Sequence, residues 1–564
     1  MISNALGPQS TQAAPRRAAA AGRSVAILLV MVGTAGYLLR YHNLGLNPLD
    51  EGFALVTGLR VLHGQTPYRD FFSQLSPGVF YTQAGLFRLF GVGILPGRLA
   101  MVGVGAAMAG LLYLLARRLL PAPLALLAVA LWLPWGIPAW FMPSYSWYAA
   151  LGTLGTLYCM ARYQETARSP WLWGCGLLLG LTALYKQNAG LYVAAALTTF
   201  LLLRPLLRWA WRRSADRGTP DGPEPLSAGE PGVRQWLTMV GGVALVVGPA
   251  LLALGLAGAL RDMWRDTVTV VLTVFPREMS VSYGGVWPLW PTSLEAGDLN
   301  DWAQRLLYLL PVVYPLTAVL VVGRALTRRA TRHDGYLALY ALVGGFSWLE
   351  TFPRADISHL LFFLFLAYAL AVYLVWWLAG LLPRALSRLA MPIRWVAASL
   401  LLAPLLALGV VGATNNESTR RDATYPLDDL SPRAAGIMVN EGQRLGIGGV
   451  MSAIHAYSKP GQAIFIMPWS VVFYFLAQRE NPTRYDLLIP ASLLPEDQPE
   501  IIRDLEQRKP PLVLYQTSWD VNDKTFAENA PLLDGYVTTH YRQADHVDGA
   551  DAYSQYDVWT RAAP

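Results

Sequence analysis

The sequence has little cysteine and little charge. Its 564 residues include only two cysteines, Cys159 and Cys175, and both lie in apolar runs. This excludes a disulfide framework and a cysteine-based metal site, and we expect both thiols to pack as small buried hydrophobic side chains. Charged residues make up only 14% of the chain, which is too few for a water-soluble protein of this length.

The chain is instead rich in apolar residues, and 54% of its residues are hydrophobic. A helix that spans a bilayer needs about 20 mostly apolar residues. We therefore predict an α-helical polytopic protein of the plasma membrane with about eleven transmembrane helices. The predicted spans are 24–40, 96–116, 122–141, 144–162, 171–185, 189–203, 236–260, 305–323, 336–349, 358–380 and 394–413.

The formal charge of +7 comes from short basic clusters between the apolar runs. This pattern is typical of membrane topology, and we expect membrane lipids and no nucleic acid as partners. If the N-terminus is cytoplasmic, five basic loops all fall on the cytoplasmic side, as the positive-inside rule requires. These loops are 117–118, 162–168, 204–217, 324–332 and 384–394. The outer loops are then 41–95, 261–304 and 350–357.

The composition changes to that of a soluble protein after residue 413. Strand-like runs at 463–467 and 512–515 flank an amphipathic helical pattern at 499–508. We predict three parts: a cytoplasmic tail 1–23, a transmembrane domain 24–413 and an α/β domain 414–564. An odd number of spans places the last domain outside the cytoplasm. The Pro- and Gly-rich segment 214–234 is predicted to be a flexible linker.

Two adjacent carboxylates, Asp50 and Glu51, open the first outer loop and precede an amphipathic stretch that we expect to lie on the membrane surface. One interpretation is structural: Asp50 caps a helix and the helix dipole favours Glu51. The other is catalytic: a carboxylate pair at the membrane boundary takes a proton from a hydroxyl group. The sequence is compatible with both.

The same loop continues with a Gly-x-x-Pro-Tyr-x-Asp turn at 64–70 and a Pro-Gly step at 77–78 before an aromatic helix. Together with the Asp-Glu pair, these motifs resemble the GT-C superfamily of membrane glycosyltransferases. The resemblance is to the bacterial relatives of protein O-mannosyltransferases and lipid A aminoarabinose transferases, and it covers roughly residues 25–410 in layout. The motifs identify the superfamily and leave the substrate open.

The resemblance implies that a sugar on a polyprenyl-phosphate donor is transferred, with inversion, to a glycan, lipid or protein acceptor outside the cytoplasm. By position, Asp50 would be the general base and Glu51 its partner, and Asp70 would be a second loop carboxylate. No cofactor is expected. The sequence shows no diagnostic spacing of metal ligands, although a divalent cation is not excluded. Four further residues are predicted to be possible substrate contacts: Tyr68, Arg69, Gln187 and Arg265.

A departing phosphate needs cations, and two outer segments supply them. Lys186 stands between two apolar runs, where it either extends to the interface or binds the donor phosphate. The turn at 350–359 contains Arg354, Asp356 and His359. An Arg354–Asp356 pair that closes the turn is one interpretation. The other is phosphate binding, because the Arg-x-Asp-x-x-His pattern resembles the late outer-loop motif of the same family, which lies near the lipid phosphate.

Two other functions are compatible with many spans and polar groups near the membrane: a transporter and a non-catalytic envelope assembly protein. A transporter would place its charged motifs near the midplane of the bilayer. Here the charged motifs lie in outer loops, which favours an enzyme. The large outer domain also fits an assembly protein. Loss of function on neutralising Asp50, with wild-type expression and unchanged lipid binding, would separate an enzyme from both alternatives.

Overall fold

The computed structural model describes residues 13–215, 233–291, 293, 295–381, 390–490, 492–516, 520–521, 524–549 and 555–562. Residues 1–12 of the predicted tail and 216–232 of the predicted linker lie outside these ranges.

The part of the chain predicted to cross the membrane is helical, as its long apolar runs require. The helices are α1 Ala13–Leu38, α2 Asp50–Leu62, α3 Gly78–Phe90, α4 Ile94–Ala116, α5 Ala122–Trp132, α6 Tyr145–Thr166, α7 Ser169–Tyr185, α8 Gln187–Ala215, α9 Val233–Leu256, α10 Leu260–Trp264, α11 Val270–Thr273, α12 Phe275–Glu278, α13 Ala296–Leu309, α14 Val313–Leu326, α15 Asp334–Trp348, α16 Ile357–Leu361, α17 Phe365–Ala379 and α18 Ala390–Asp422.

Each predicted span coincides with one of these helices or with two consecutive ones, except 122–141, in which α5 ends at Trp132 and two 3-10 helices, Leu133–Trp135 and Ile137–Trp140, follow it. Within the described residues, six helical stretches are long and apolar enough to cross a membrane, and α17 and the segment Ser24–Leu38 of α1 are shorter apolar helices. A multi-pass helical protein is therefore confirmed, while the count of eleven crossings stays a prediction. The predicted boundary at 413 lies inside α18, which continues as one helix to Asp422.

Side-chain contacts bring the predicted cytoplasmic loops together at one face of the helices. Arg118 pairs with Glu165 at 2.7 Å, and the hydroxyl of Tyr336 donates to the same carboxylate at 3.2 Å. Ser214 accepts a hydrogen bond from the backbone N–H of Ala330 at 3.1 Å. Four of the five loops are thus grouped as the predicted alternation requires, and the fifth, 384–394, lies largely outside the described residues. Which face is cytoplasmic stays a prediction.

The C-terminal part contains strands and helices, as its composition predicts. The elements are β1 Tyr425–Pro426, β2 Met438–Val439, α19 Glu441–Tyr457, β3 Phe465–Met467, α20 Val472–Ala477, α21 Gln498–Arg508, β4 Leu512–Tyr515, β5 Asp520–Val521, β6 Lys524–Thr525, α22 Phe526–Asn529, α23 Pro531–His540, β7 Tyr541–Val547 and β8 Tyr556–Arg561. A four-stranded sheet has the order β3-β4-β8-β7, in which β3 and β4 are parallel and the other neighbours are antiparallel. The predicted strands correspond to β3 and β4, and the predicted helix to α21.

Helix α2 lies between the transmembrane helices and the C-terminal part, and two of its glycines permit very close packing on both sides. A Cβ atom at Gly52 would lie 2.6 Å from the backbone nitrogen of Val472 in α20. A Cβ atom at Gly58 would lie 2.7 Å from the Gln83 side chain in α3. Any side chain at either glycine would push these elements apart. This packing holds α2, and therefore Asp50 at its first position, in a defined place.

Candidate active site

The side chain of Asn47 caps the first turn of α2. Its Oδ1 accepts hydrogen bonds from the backbone N–H groups of Leu49 at 3.1 Å and of Asp50 at 2.8 Å. The helix begins at Asp50, whose own carboxylate makes no capping bond. The capping interpretation of Asp50 is therefore wrong, because Asn47 already performs that task.

Glu51 is completely buried and paired with Arg98 of α4. Arg98 donates to the two carboxylate oxygens at 2.7 and 2.6 Å. Its remaining N–H groups donate to the carbonyls of Leu44 at 2.9 Å and Gly45 at 2.8 Å. This two-pronged pair attaches the start of α2, and the backbone before it, to a transmembrane helix. Arg98 was not among the predicted site residues, although its position inside an apolar run is a sequence feature that could have identified it.

The Asp50 carboxyl faces a cavity of about 80 Å³. The cavity is bordered by the first outer loop, by Ser144 and Tyr145 at the start of α6, and by the C-terminal part. The Asp50 side chain keeps solvent-accessible surface, although protein atoms surround its carboxyl group. Burial among these groups raises the pKa of the Asp50 carboxyl above its ordinary value.

The late turn forms a closed network around Asp356. This carboxylate caps α16 by accepting the backbone N–H of His359 at 3.0 Å, and it lies 2.8 Å from Nδ1 of the same imidazole. Arg354 donates to its other oxygen from Nε at 3.0 Å, and the hydroxyl of Ser358 donates at 2.7 Å. Burial would raise the pKa of Asp356, but the hydrogen bonds from His359 and Ser358 outweigh it and hold the pKa well below its usual range.

The structure brings the first outer loop and the late turn together, although they are far apart in the sequence. The charges of His359 and Arg354 act on the Asp50 carboxyl and oppose the rise of its pKa that burial causes, while Asp356 adds to that rise. Tyr145 lies within electrostatic range of Asp50, Arg354 and Asp356. The carboxylate predicted to be the base and the groups predicted to bind phosphate therefore lie within electrostatic range of each other.

Lys186 is buried next to this site. Its Nζ lies 3.3 Å from Oε2 of Glu350, 4.6 Å from the ring centre of Phe363 and 5.8 Å from that of Tyr145. Because the ammonium group is enclosed, the interpretation that it extends to the membrane interface is wrong. Burial raises the pKa of Glu350 to about 7 despite the neighbouring Lys186. Sequence reasoning missed this pair because its members are far apart in the sequence, one between α7 and α8 and the other just after α15.

Asp70 is not brought to the Asp50 cavity. It lies near the other end of α2, where Arg69 donates two hydrogen bonds of 2.8 Å to its carboxylate and the backbone N–H of Thr66 donates a third at 2.7 Å. These hydrogen bonds, with that of Arg69 the largest contribution, hold the pKa of Asp70 below its usual value. Arg69 and Asp70 therefore form a pair that stabilises the turn at 64–70.

The other predicted contacts stabilise the loops around the cavity. The hydroxyl of Tyr68 donates to the carbonyl of Leu75 at 2.8 Å. Gln187 accepts a hydrogen bond from Ser76 at 2.8 Å and donates to the carbonyl of Gln74 at 2.9 Å, which attaches the first outer loop to the start of α8. Arg265 pairs with Asp497 of the C-terminal part.

Asp266 is a second buried carboxylate that was not among the predicted site residues. Its Oδ2 accepts the backbone N–H of Ser73, a cavity residue, at 3.4 Å, and Arg484 lies 3.9 Å away. Burial raises the pKa of Asp266 to about 7, although Arg484 opposes that rise. The described residues contain no group of three or more His, Cys, Asp or Glu side chains arranged to hold a metal ion.

Comparisons with known proteins give one sequence match and several structural ones. A family model described as dolichyl-phosphate-mannose-protein mannosyltransferase matches residues 74–215. No curated protein matches the chain. The structure of ArnT from Cupriavidus metallidurans bound to undecaprenyl phosphate is 13% identical, with 95% of this chain and 98% of that one covered and a TM-score of 0.48. The apo oligosaccharyltransferase of Archaeoglobus fulgidus is 14% identical, with 95% and 74% covered and a TM-score of 0.49.

The family match includes Lys186 and Gln187, and it begins after Asp50, Glu51 and Asp70. The turn that contains Arg354 also lies outside it. The match over 74–215 confirms that this chain resembles the membrane glycosyltransferases of the GT-C superfamily, as the motifs of its first outer loop indicate.

Proposed function

We propose that this protein is an integral membrane glycosyltransferase that moves a sugar from a polyprenyl-phosphate donor to an acceptor outside the cytoplasm, with inversion. The observation that supports the proposal is that Asp50 borders a cavity and lies within electrostatic range of Arg354 and His359. The family matched over 74–215 has dolichyl-phosphate mannose in its description, which supports a polyprenyl-phosphate sugar as the class of donor.

Asp50 has the properties of a general base for this reaction. It takes the proton of the acceptor hydroxyl while the hydroxyl oxygen attacks the anomeric carbon of the sugar. The bond from that carbon to the phosphate oxygen breaks, and its electron pair leaves with the phosphate, so that the configuration inverts. A raised pKa makes a carboxylate a stronger base near neutral pH, while Arg354 and His359 favour the ionised form.

Arg354 and Lys186 supply positive charge for the leaving phosphate. Only Nε of Arg354 is bound to Asp356, and its two terminal nitrogens form no side-chain hydrogen bond within the described residues. They are therefore available to two phosphate oxygens. The negative charge on the phosphate grows as the sugar departs, so these donors stabilise the transition state more than the bound donor. Asp356 holds the arginine in position, and His359 in turn contacts Asp356.

The test is the fate of the donor. Mass spectrometry of a deletion strain should show a polyprenyl-phosphate sugar that accumulates and an envelope glycan that loses that sugar. Purified protein in lipid nanodiscs, given the accumulated donor and envelope extract, should release polyprenyl phosphate and restore the glycan. Unchanged donor and glycan pools in the deletion strain would contradict the proposal. Accumulation of the donor on the cytoplasmic side alone would favour a transporter.

A further inference from the structure

A second cavity, of about 460 Å³, lies at the far end of α2 from Asp50, between that helix and the C-terminal part. We call it the arginine basin, because five arginines line it: Arg60, Arg433, Arg479, Arg484 and Arg508. Only two carboxylates, Asp70 and Glu480, are among its lining residues. Asp70 is already bound by Arg69, so the lining has an excess of positive charge.

Arg60 and Arg479 have structural partners. Arg60 pairs with the buried Asp486 at 2.7 Å. Arg479 is buried and donates to the backbone carbonyls of Ser458 at 3.1 Å and Ala477 at 2.8 Å. These two side chains build the wall of the basin and leave few donors for a ligand.

Two of the other three arginines, Arg433 and Arg508, retain donors for a ligand. Arg433 donates one hydrogen bond, to the carbonyl of Phe475 at 2.9 Å, and lies 5.0 Å from the centre of that ring. Arg508 is exposed at the end of α21 and has no ion pair within 4.0 Å among the described residues. Arg484 donates to the carbonyl of Tyr68 and lies 3.9 Å from the buried Asp266 carboxylate, and its Nε is itself buried, so it belongs to the wall as Arg60 and Arg479 do.

Guanidinium groups around one cavity repel each other unless an anion lies between them. A single carboxylate would neutralise only one of them, whereas a phosphate monoester carries a charge of about −1.5 to −2 at neutral pH and offers three acceptor oxygens. The planar fork of arginine matches phosphate oxygens in pairs. We propose that the arginine basin binds a phosphoryl group of a ligand outside the cytoplasm.

This site is separate from the donor-phosphate groups around Arg354. Asp50 and Arg60 are ten residues apart on α2, which corresponds to about 15 Å at 1.5 Å per residue. The buried stretch from Glu51 to Gly58 lies between them. The segment 481–492 borders both cavities, with 481–484 at the basin and Leu487, Ile489 and Ser492 at Asp50. The ligand of the basin is therefore not the donor phosphate.

The proposal is tested with full-length protein in detergent and inorganic phosphate as the probe, at constant ionic strength. Phosphate should raise the thermal midpoint in a saturable way, as a ligand of the folded state does. The double variant Arg433→Gln, Arg508→Gln should bind phosphate at least about 10-fold more weakly, a loss of about 1.4 kcal/mol. The matched control is Arg503→Gln, an exposed arginine of α21 outside the basin, which should bind as the unaltered protein does.

The proposal is overturned if phosphate gives no saturable shift, or if the double variant responds as Arg503→Gln does. The single variant Arg508→Gln, at an exposed position, keeps the test valid if the double variant folds poorly. Nanodiscs distinguish two sources of the phosphoryl group. Phosphatidic acid, whose headgroup is a phosphate monoester, compared with phosphatidylcholine alone, should abolish the phosphate response if a lipid headgroup fills the basin and leave it intact if the ligand is a soluble phosphorylated glycan. Asp50→Asn should bind phosphate normally, so this proposal and the glycosyltransferase proposal fail independently.

Discussion

Arg98 and Glu51 form a buried two-pronged ion pair, with hydrogen bonds of 2.7 and 2.6 Å, at the point where the first outer loop meets the transmembrane helices. The pair joins α4 to the residue next to Asp50. Glu51 therefore acts on the site by holding the first turn of α2 in place. Its carboxylate has a partner already and is not available to an acceptor.

Removing one member of this pair should destabilise the protein. Arg98→Ala leaves the Glu51 carboxylate buried without its partner, which costs about 3–5 kcal/mol. We expect the thermal midpoint of the purified protein to fall by several degrees. Arg88→Ala is the control, because Arg88 is exposed on α3 and its loss should change the midpoint little. Equal midpoints for the two variants would refute the structural role of Arg98.

Asp50→Asn should have the opposite profile, with normal stability and little activity. Asn47 supplies the cap of α2, so the helix keeps its start. Loss of the base should lower turnover by about 10²–10⁴-fold. Donor affinity should change little, because Asp50 acts on the acceptor. Asp70→Asn is the matched control, since Asp70 lies away from the Asp50 cavity. Near-normal turnover in Asp50→Asn would remove it from the role of base.

The pH dependence of the reaction should report the raised pKa of Asp50. The base is active only when ionised, so kcat/KM should fall as pH decreases through that pKa, which lies above the ordinary value of about 3.9 for aspartate. Arg354 opposes the rise in the pKa, so Arg354→Gln should move the acid limb to higher pH. Arg503→Gln should leave the limb where it is. A limb that does not move in Arg354→Gln would show that the two groups do not interact.

Membrane orientation can be tested with single cysteines at exposed positions. Gln65→Cys and Ser452→Cys lie on the predicted outer side, whereas Ser169→Cys lies on the predicted cytoplasmic side, and all three positions are exposed. The native Cys159 and Cys175 are buried and should give little background. An impermeant maleimide should label the first two variants in intact cells and label Ser169→Cys only after lysis. Labelling of Ser169→Cys in intact cells would reverse the orientation.

Local patterns in the sequence predict much of this structure, and tertiary packing accounts for the rest. Apolar runs predict the helices because a helix that spans a bilayer needs a run of about 20 mostly apolar residues. The Asp356–His359 contact was predictable because residues three apart share a helical turn. The spacing of residues along the sequence does not indicate which distant loops contact each other in the fold. The pair of Lys186 with Glu350, and the placement of Asp70 away from Asp50, depend on how the helices pack, and no local pattern records that packing.

The role of Arg354 in phosphate binding leads to the last prediction. Asp356 binds Nε, so the fork formed by the two terminal nitrogens is the part that matches two phosphate oxygens. Arg354→Lys keeps the charge and loses this geometry, because a lysine ammonium is a point charge. Turnover should fall by about 10-fold or more, an effect of at least about 1.4 kcal/mol on the transition state. Arg354→Ala should in addition weaken donor binding, since the charge itself is gone.

The control is Arg277→Lys, because Arg277 is exposed on α12 and is not among the residues that border the Asp50 cavity; its turnover should match that of the unaltered protein. Single-turnover rates with saturating donor separate the loss of chemistry in Arg354→Lys from the loss of binding in Arg354→Ala. If both Arg354 variants turn over purified donor normally, the turn at 350–359 is structural. The phosphate-binding role then belongs to Lys186, because the alternative, Arg265, is already paired with Asp497.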